Sequence, residues 1–176
     1  VDLTDKLCEG ALRSIVKNGR IVMSEPENYD ARANLMWAST LAHNGLLGTG
    51  REEDWASHGI EHQLSAFYDI PHGAGLAIIF PAWMRYVVKH DISRFAQFAR
   101  EVWKIDECCD GDMAIQAIEK TKEFFKELGL PTSLSELNID NEKFVEMAKI
   151  CAGSGRRGNF VRLKSEDIER IYELAK

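Results

Sequence analysis

Apolar residues recur along nearly the whole chain at the three- and four-residue spacing that stacks side chains on one face of a helix. Leu3, Leu7, Ala11, Leu12 and Ile15 predict a helix over 3–18. Ser24-Glu25-Pro26-Glu27 has the form of a capping box, with proline tolerated in a first turn where its missing N–H is not needed. A second helix is therefore predicted from there to about Leu47, ended by Gly48 and Gly50. Thr49-x-x-Glu52 predicts the cap of a third, which carries Trp55, His58, His62 and Ala66. Tyr68-Asp69-Ile70-Pro71 breaks it, because proline biases its predecessor away from helix. The stretch from about His72 to Val88 is apolar nearly all round and reads as a buried central helix. Further helices are predicted near 91–104, 112–128, 133–151 with a break, and 165–175. No stretch alternates as a strand does between hairpin turns, and no internal repeat is present. The fold class is all-α, in a single domain of about seven to nine helices.

Composition narrows the partners. The 176 residues suffice for one domain with a sizeable core, and 45% hydrophobic with 28% charged residues is globular composition. A net charge of −6 argues against nucleic acid, whose partners gather Lys and Arg into a basic surface. The longest apolar run, Leu76 to Met84, is far short of a membrane span and contains Pro81. Residues 1–16 carry charge throughout and do not read as a secretory leader. Cys8, Cys108, Cys109 and Cys151 form no CxxC pair and no disulfide framework, so free thiols in the cytoplasm are expected. The chain opens on Val1 with no methionine and runs straight into a helical pattern, as a piece of something longer does.

Three of the five histidines, His58, His62 and His72, fall within fifteen residues. Residues four apart share a helix face, so His58 and His62 are able to point at one centre, with His72 folded back across Pro71. Neutral imidazole is the commonest protein ligand for borderline divalent metals. The competing reading is of merely buried, hydrogen-bonded histidines. His58-x-x-Glu61-His62 also matches the inverted zinc-protease signature, with Glu61 as the water-activating acid, but that pattern leaves His72 unexplained. Gly153-Ser-Gly155-Arg-Arg-Gly158 spells GxGxxG, yet a helix precedes it and no strand is in sight, so it reads as a loop with solvated Arg156 and Arg157.

The block from Asp54 to Tyr86 resembles the second signature of the iron-containing (group III) alcohol dehydrogenases. It carries His58-x-x-x-His62, eight residues, then Pro71-His72-Gly73-x-x-x-Ala77-Ile78. Pro26 to Ala38 and Asn44-Gly45-Leu46-Leu47-Gly48 resemble the butanol dehydrogenase-like, short-chain aldehyde-reducing branch. A weaker likeness continues through Phe124-Phe125-x-x-Leu128-Gly129-Leu130-Pro131-Thr132 to the closing helix. The resemblance implies the helical C-terminal domain of the dehydroquinate synthase-like, iron-containing alcohol dehydrogenase fold. It further implies an upstream α/β domain for NAD(H) or NADP(H), and Fe²⁺ or Zn²⁺ held by one aspartate and three histidines. Two of those histidines fall on His58 and His72, and His62 matches a proton relay near nicotinamide and substrate. The family's aspartate and first histidine precede Val1 and have no match here. Asp54 climbs one helix face with His58 and His62, but reads as an acid favoured in a first turn by the helix macrodipole.

The expected parent is thus an NAD(P)-dependent enzyme, a homo-oligomer, that exchanges hydride with a small alcohol or aldehyde. The piece alone is expected to be inactive without its cofactor domain. Trp55, Phe67, Leu76 and Phe80 are candidates for a dry substrate pocket, or equally for plain core. The alternatives carried are an HxxEH zinc peptidase and a non-catalytic helical metal-binding module.

Overall fold

The computed structural model describes residues 1–106, 109–155 and 158–176, and every regular element among them is helical. Helix α1 spans Asp2–Ser24, with Asp2 and Asp5 in the first turn, where the positive end of the helix dipole favours acids. Ser24 closes this helix rather than opening the next: its hydroxyl donates back to Ile21 O at 3.1 Å. The capping-box reading of Ser24 is therefore corrected. The apolar pattern of α1 runs on through Ile21, Val22 and Met23, and the next cap is Asn28, whose Oδ1 accepts from Ala31 N at 3.0 Å. Helix α2, Tyr29–His43, follows it and ends short of Leu47, because Gly45 turns left-handed (φ +83°) into a short 3-10 turn over Leu46–Gly48.

Helix α3 spans Ala56–Tyr68 and α4 spans His72–Val87, with Pro71 just outside the first turn of α4 and Pro81 inside it. Thr49 does not cap α3: its hydroxyl bonds Gly45 O, and Asp54 Oδ1 accepts Ala56 N at 2.8 Å instead. Helix α5, Ile92–Phe98, passes into a π-turn over Ala99–Trp103 that the left-handed Lys104 ends. Helix α6 is Asp110–Glu127, α7 is Phe144–Gly153 and α8 is Ser165–Leu174. The predicted helix over 133–151 is a 3-10 turn at Ser135–Leu137 followed by α7. Gly153 is the last residue of α7, and no strand occurs among the described residues, so the dinucleotide fingerprint has no βαβ unit to work in. Arg156, Arg157 and Cys108 lie outside the described residues, whereas Cys8, Cys109 and Cys151 are free thiols. No helix among the described residues is long and apolar enough to cross a membrane.

Contacts divide the chain into two units, Val1–Glu53 with Ser93–Ala117, and Asp54–Ile92 with Ile118–Lys176. In the first, α1 packs on α2 and on the π-turn, and a small core gathers Ala96, Ala99, Ile105, Met113 and Ala117. In the second, α3 packs on α4 and α7, and α8 packs on α4 and α7, closing a ring of four helices. Ile60, Leu64, Ile78, Ile79, Met147, Ile168, Ile171 and Tyr172 fill that unit with no solvent exposure above 1%. Tyr172 donates its hydroxyl to Ile60 O at 2.7 Å, so α8 is bonded directly to the backbone of α3. Burial pushes this phenol well above the usual tyrosine range. The histidine-bearing helix α3 thus rests on a dry core.

Candidate metal centre

The site begins with how α3 is held. Asp54 places Oδ1 on Ala56 N and Oδ2 on both Asn159 N and Phe160 N, each at 2.8 Å. Three backbone N–H groups occupy its carboxylate, which fits a cap and leaves it unsuited to ligation. Gly158 lies against it in a left-handed turn (φ +90°), where a Cβ would stand 2.8 Å from Asp54 Oδ2.

From that anchored start, α3 carries His58, Glu61 and His62, three and four residues apart and so on one side. Asp69, left-handed at φ +52°, ends α3, and Pro71 leads directly into α4 with His72 as its first residue. This corner returns the His72 ring to α3. Its centroid stands 5.4 Å from that of His58 and 5.0 Å from that of His62. The three predicted residues are therefore brought together, His58 and His62 half-buried and His72 exposed. Trp55 meets His58 edge-on at 4.9 Å and is itself 49% exposed. Phe67, Leu76 and Phe80 are half-buried, and Phe80 stacks on Trp83 at 5.7 Å.

The residue that sequence reasoning undervalued is Glu61. It is completely buried, bonds His72 Nδ1 through Oε2 and accepts Ser65 Oγ at 2.6 Å through Oε1. The signal available in the sequence was an acid between Ile60 and Leu64 on the inner side of an apolar helix. With both oxygens engaged and no access to solvent, Glu61 is not placed to activate a water as the peptidase signature requires. Glu61, His62 and His72 each bring one ligand atom within 4.8 Å of the others, the one such group of three among the described residues, so it takes in His62, expected as the proton relay, and not His58, expected as a ligand. Imidazole nitrogens with a buried carboxylate beneath them suit a borderline divalent ion such as Fe²⁺ or Zn²⁺.

Residues 1–176 match the family described as Fe-containing alcohol dehydrogenase family, C-terminal. NADH-dependent butanol dehydrogenase A of Clostridium acetobutylicum is 42% identical over 173 residues, covering 96% of this chain and 44% of that protein. The NADPH-dependent aldehyde reductase YqhD of Escherichia coli is 36% identical, covering 99% of this chain and 46% of that protein. Its substrate- and cofactor-free structure superposes with a TM-score of 0.95 over 100% of this chain and 47% of its own. NADH-dependent butanol dehydrogenase A of Thermotoga maritima superposes with a TM-score of 0.93 at 36% identity, over 98% of this chain and 46% of its own. The chain thus spans less than half the length of the relatives it matches.

Proposed function

Because the chain belongs to the Fe-containing alcohol dehydrogenase family over its whole length, we propose that it is the helical metal-binding domain of a nicotinamide-dependent alcohol dehydrogenase or aldehyde reductase. Its substrates are small alcohols and aldehydes, in keeping with the names of its relatives. The observation that carries the reading is the return of His72 across Pro71 to the rings of His58 and His62. His58 and His72 hold a divalent ion, Fe²⁺ or Zn²⁺. The remaining ligands, and the NAD(H) or NADP(H) site, belong to the portion of the relatives that this chain does not span.

When bound, the ion supplies a Lewis acid for the substrate oxygen and the nicotinamide a carrier for hydride. The chain's own residues do the rest. The His62 ring centroid stands 5.0 Å from that of His72, and an imidazole positioned there serves as the general acid–base group. It moves the proton between the substrate oxygen and solvent. Trp55, edge-on to His58, offers an apolar wall that limits water beside the cluster. Alone, the chain binds the ion weakly and turns over nothing.

Elemental analysis and turnover of the full-length parent test this reading. His58→Ala and His72→Ala are expected to lose metal. His62→Ala is expected to keep it and to lose turnover by about a hundredfold or more. The role assignment fails if His62→Ala empties the site while His58→Ala leaves it full. The enzyme class fails if the parent acts on no alcohol or aldehyde with either nicotinamide cofactor.

A further inference from the structure

We propose that Glu61 is the positioning carboxylate of this cluster: it accepts the Nδ1–H of His72 and leaves Nε2 as the nitrogen that faces a divalent ion. The inference rests on the reading of His72 as a ligand. A carboxylate removed from water is costly unless its oxygens are bonded, and Glu61 is fully buried. The fold supplies both bonds from nearby. Ser65, one turn along α3, reaches Oε1 at 2.6 Å, and His72 takes Oε2. The same Ser65 hydroxyl lies 3.0 Å from Ile70 O, so its one proton is shared between the acid and the corner from which His72 departs.

Space for the carboxylate comes from Gly75, one turn beyond His72 on α4. A Cβ there would overlap Glu61 Oε1 and stand within 2.8 Å of its Cγ and Cδ. The glycine, the serine and the buried acid form one arrangement whose product is the orientation of a single imidazole. A carboxylate on one ring nitrogen fixes the tautomer and raises the electron-donating strength of the other nitrogen. Glu61 also lies in the group of three potential ligand atoms, but both its oxygens are already bonded. It acts on the ion through His72.

The test is Zn²⁺ affinity of the full-length parent, measured by competition with a chromophoric chelator for the wild type, Glu61→Gln, His72→Ala and the double variant. Gln keeps the shape but is able to satisfy either tautomer, since its amide both donates and accepts. Glu61→Gln is expected to weaken Zn²⁺ binding by about 10- to 100-fold with helicity unchanged. In the His72→Ala background the same change is expected to add nothing, the signature of an effect routed through one residue. An undiminished loss in that background overturns positioning in favour of direct ligation. His72→Ala weakened with Glu61→Gln unchanged overturns this inference alone. Unaltered affinity in His72→Ala overturns the ligand reading first and this one with it. Imidazole ¹⁵N spectra of the zinc-saturated wild type need no variant: Nδ1 protonated and Nε2 metal-bound is expected, and zinc on Nδ1 overturns the proposal.

Discussion

Helix α1 of the first unit and the α3–α4 pair of the second bury opposite kinds of residue. Helix α1 places Thr4, Glu9, Asn18 and Gly19 inside while Leu3 and Leu7 stand 70% and 42% exposed, so its apolar stripe faces outward. It is held by polar bonds: Asp5 takes Arg51 and Arg94, each at 2.7 Å, and Gln97 donates to Glu9 at 2.8 Å. Helices α3 and α4 do the reverse, burying Ile60, Leu64, Ile78 and Ile79 completely and admitting one acid, Glu61. The apolar pair is the one that carries His58, His62 and His72. A ligand set needs side chains held to a fraction of an ångström, and close-packed aliphatic residues supply that rigidity better than exposed ion pairs.

The comparison breaks most readily at the apolar pair of helices. Leu64→Ala is expected to cost about 2–5 kcal/mol by chemical denaturation, because a fully buried leucine leaves a cavity. Gly75→Ala, in the same unit, should cost about 1–3 kcal/mol, since the new methyl collides with the Glu61 carboxylate. Asp5→Asn probes the polar contacts of α1 and is expected to cost about 1–2 kcal/mol at neutral pH. The hydrogen bond from Arg94 holds the Asp5 carboxyl well below the usual carboxylate range, with Gln97 and Arg51 adding to it against the opposing effect of burial. A depressed folded-state pKa stabilises fully above the unfolded value, 3.8, and the benefit fades as pH falls below it. Melting temperatures taken from pH 6 down to pH 3 should therefore fall more steeply for the wild type than for Asp5→Asn. Parallel slopes sink that account. The smallest effect has the opposite sign: Gly10→Ala on α1 meets only Arg13 Nη2 at 4.0 Å and should stabilise by about 0.5–1 kcal/mol through helix propensity.

Much of this was legible in the sequence. Three- and four-residue periodicity marked the helices of an all-α chain, and the Tyr68–Pro71 break fell where α3 gives way to α4. The four-residue spacing of His58 and His62 by itself puts them on one side of a helix. These features depend on neighbours within a turn or two, and local spacing is enough to set them. The caps were misplaced: Asn28 rather than Ser24 caps α2, and Asp54 rather than Thr49 takes the first N–H of α3. Asp54 prevailed because Asn159 and Phe160, more than a hundred residues away, bond its second oxygen. The outward stripe of α1 and the buried pairing of Glu61 with His72 were decided the same way. Whether an acid faces water or an imidazole depends on which helix packs over it, and periodicity along one helix carries no record of its neighbour. The sequence set the helices and the register of the histidines, while packing between α3 and α4 brought His72 onto Glu61 beside His58 and His62.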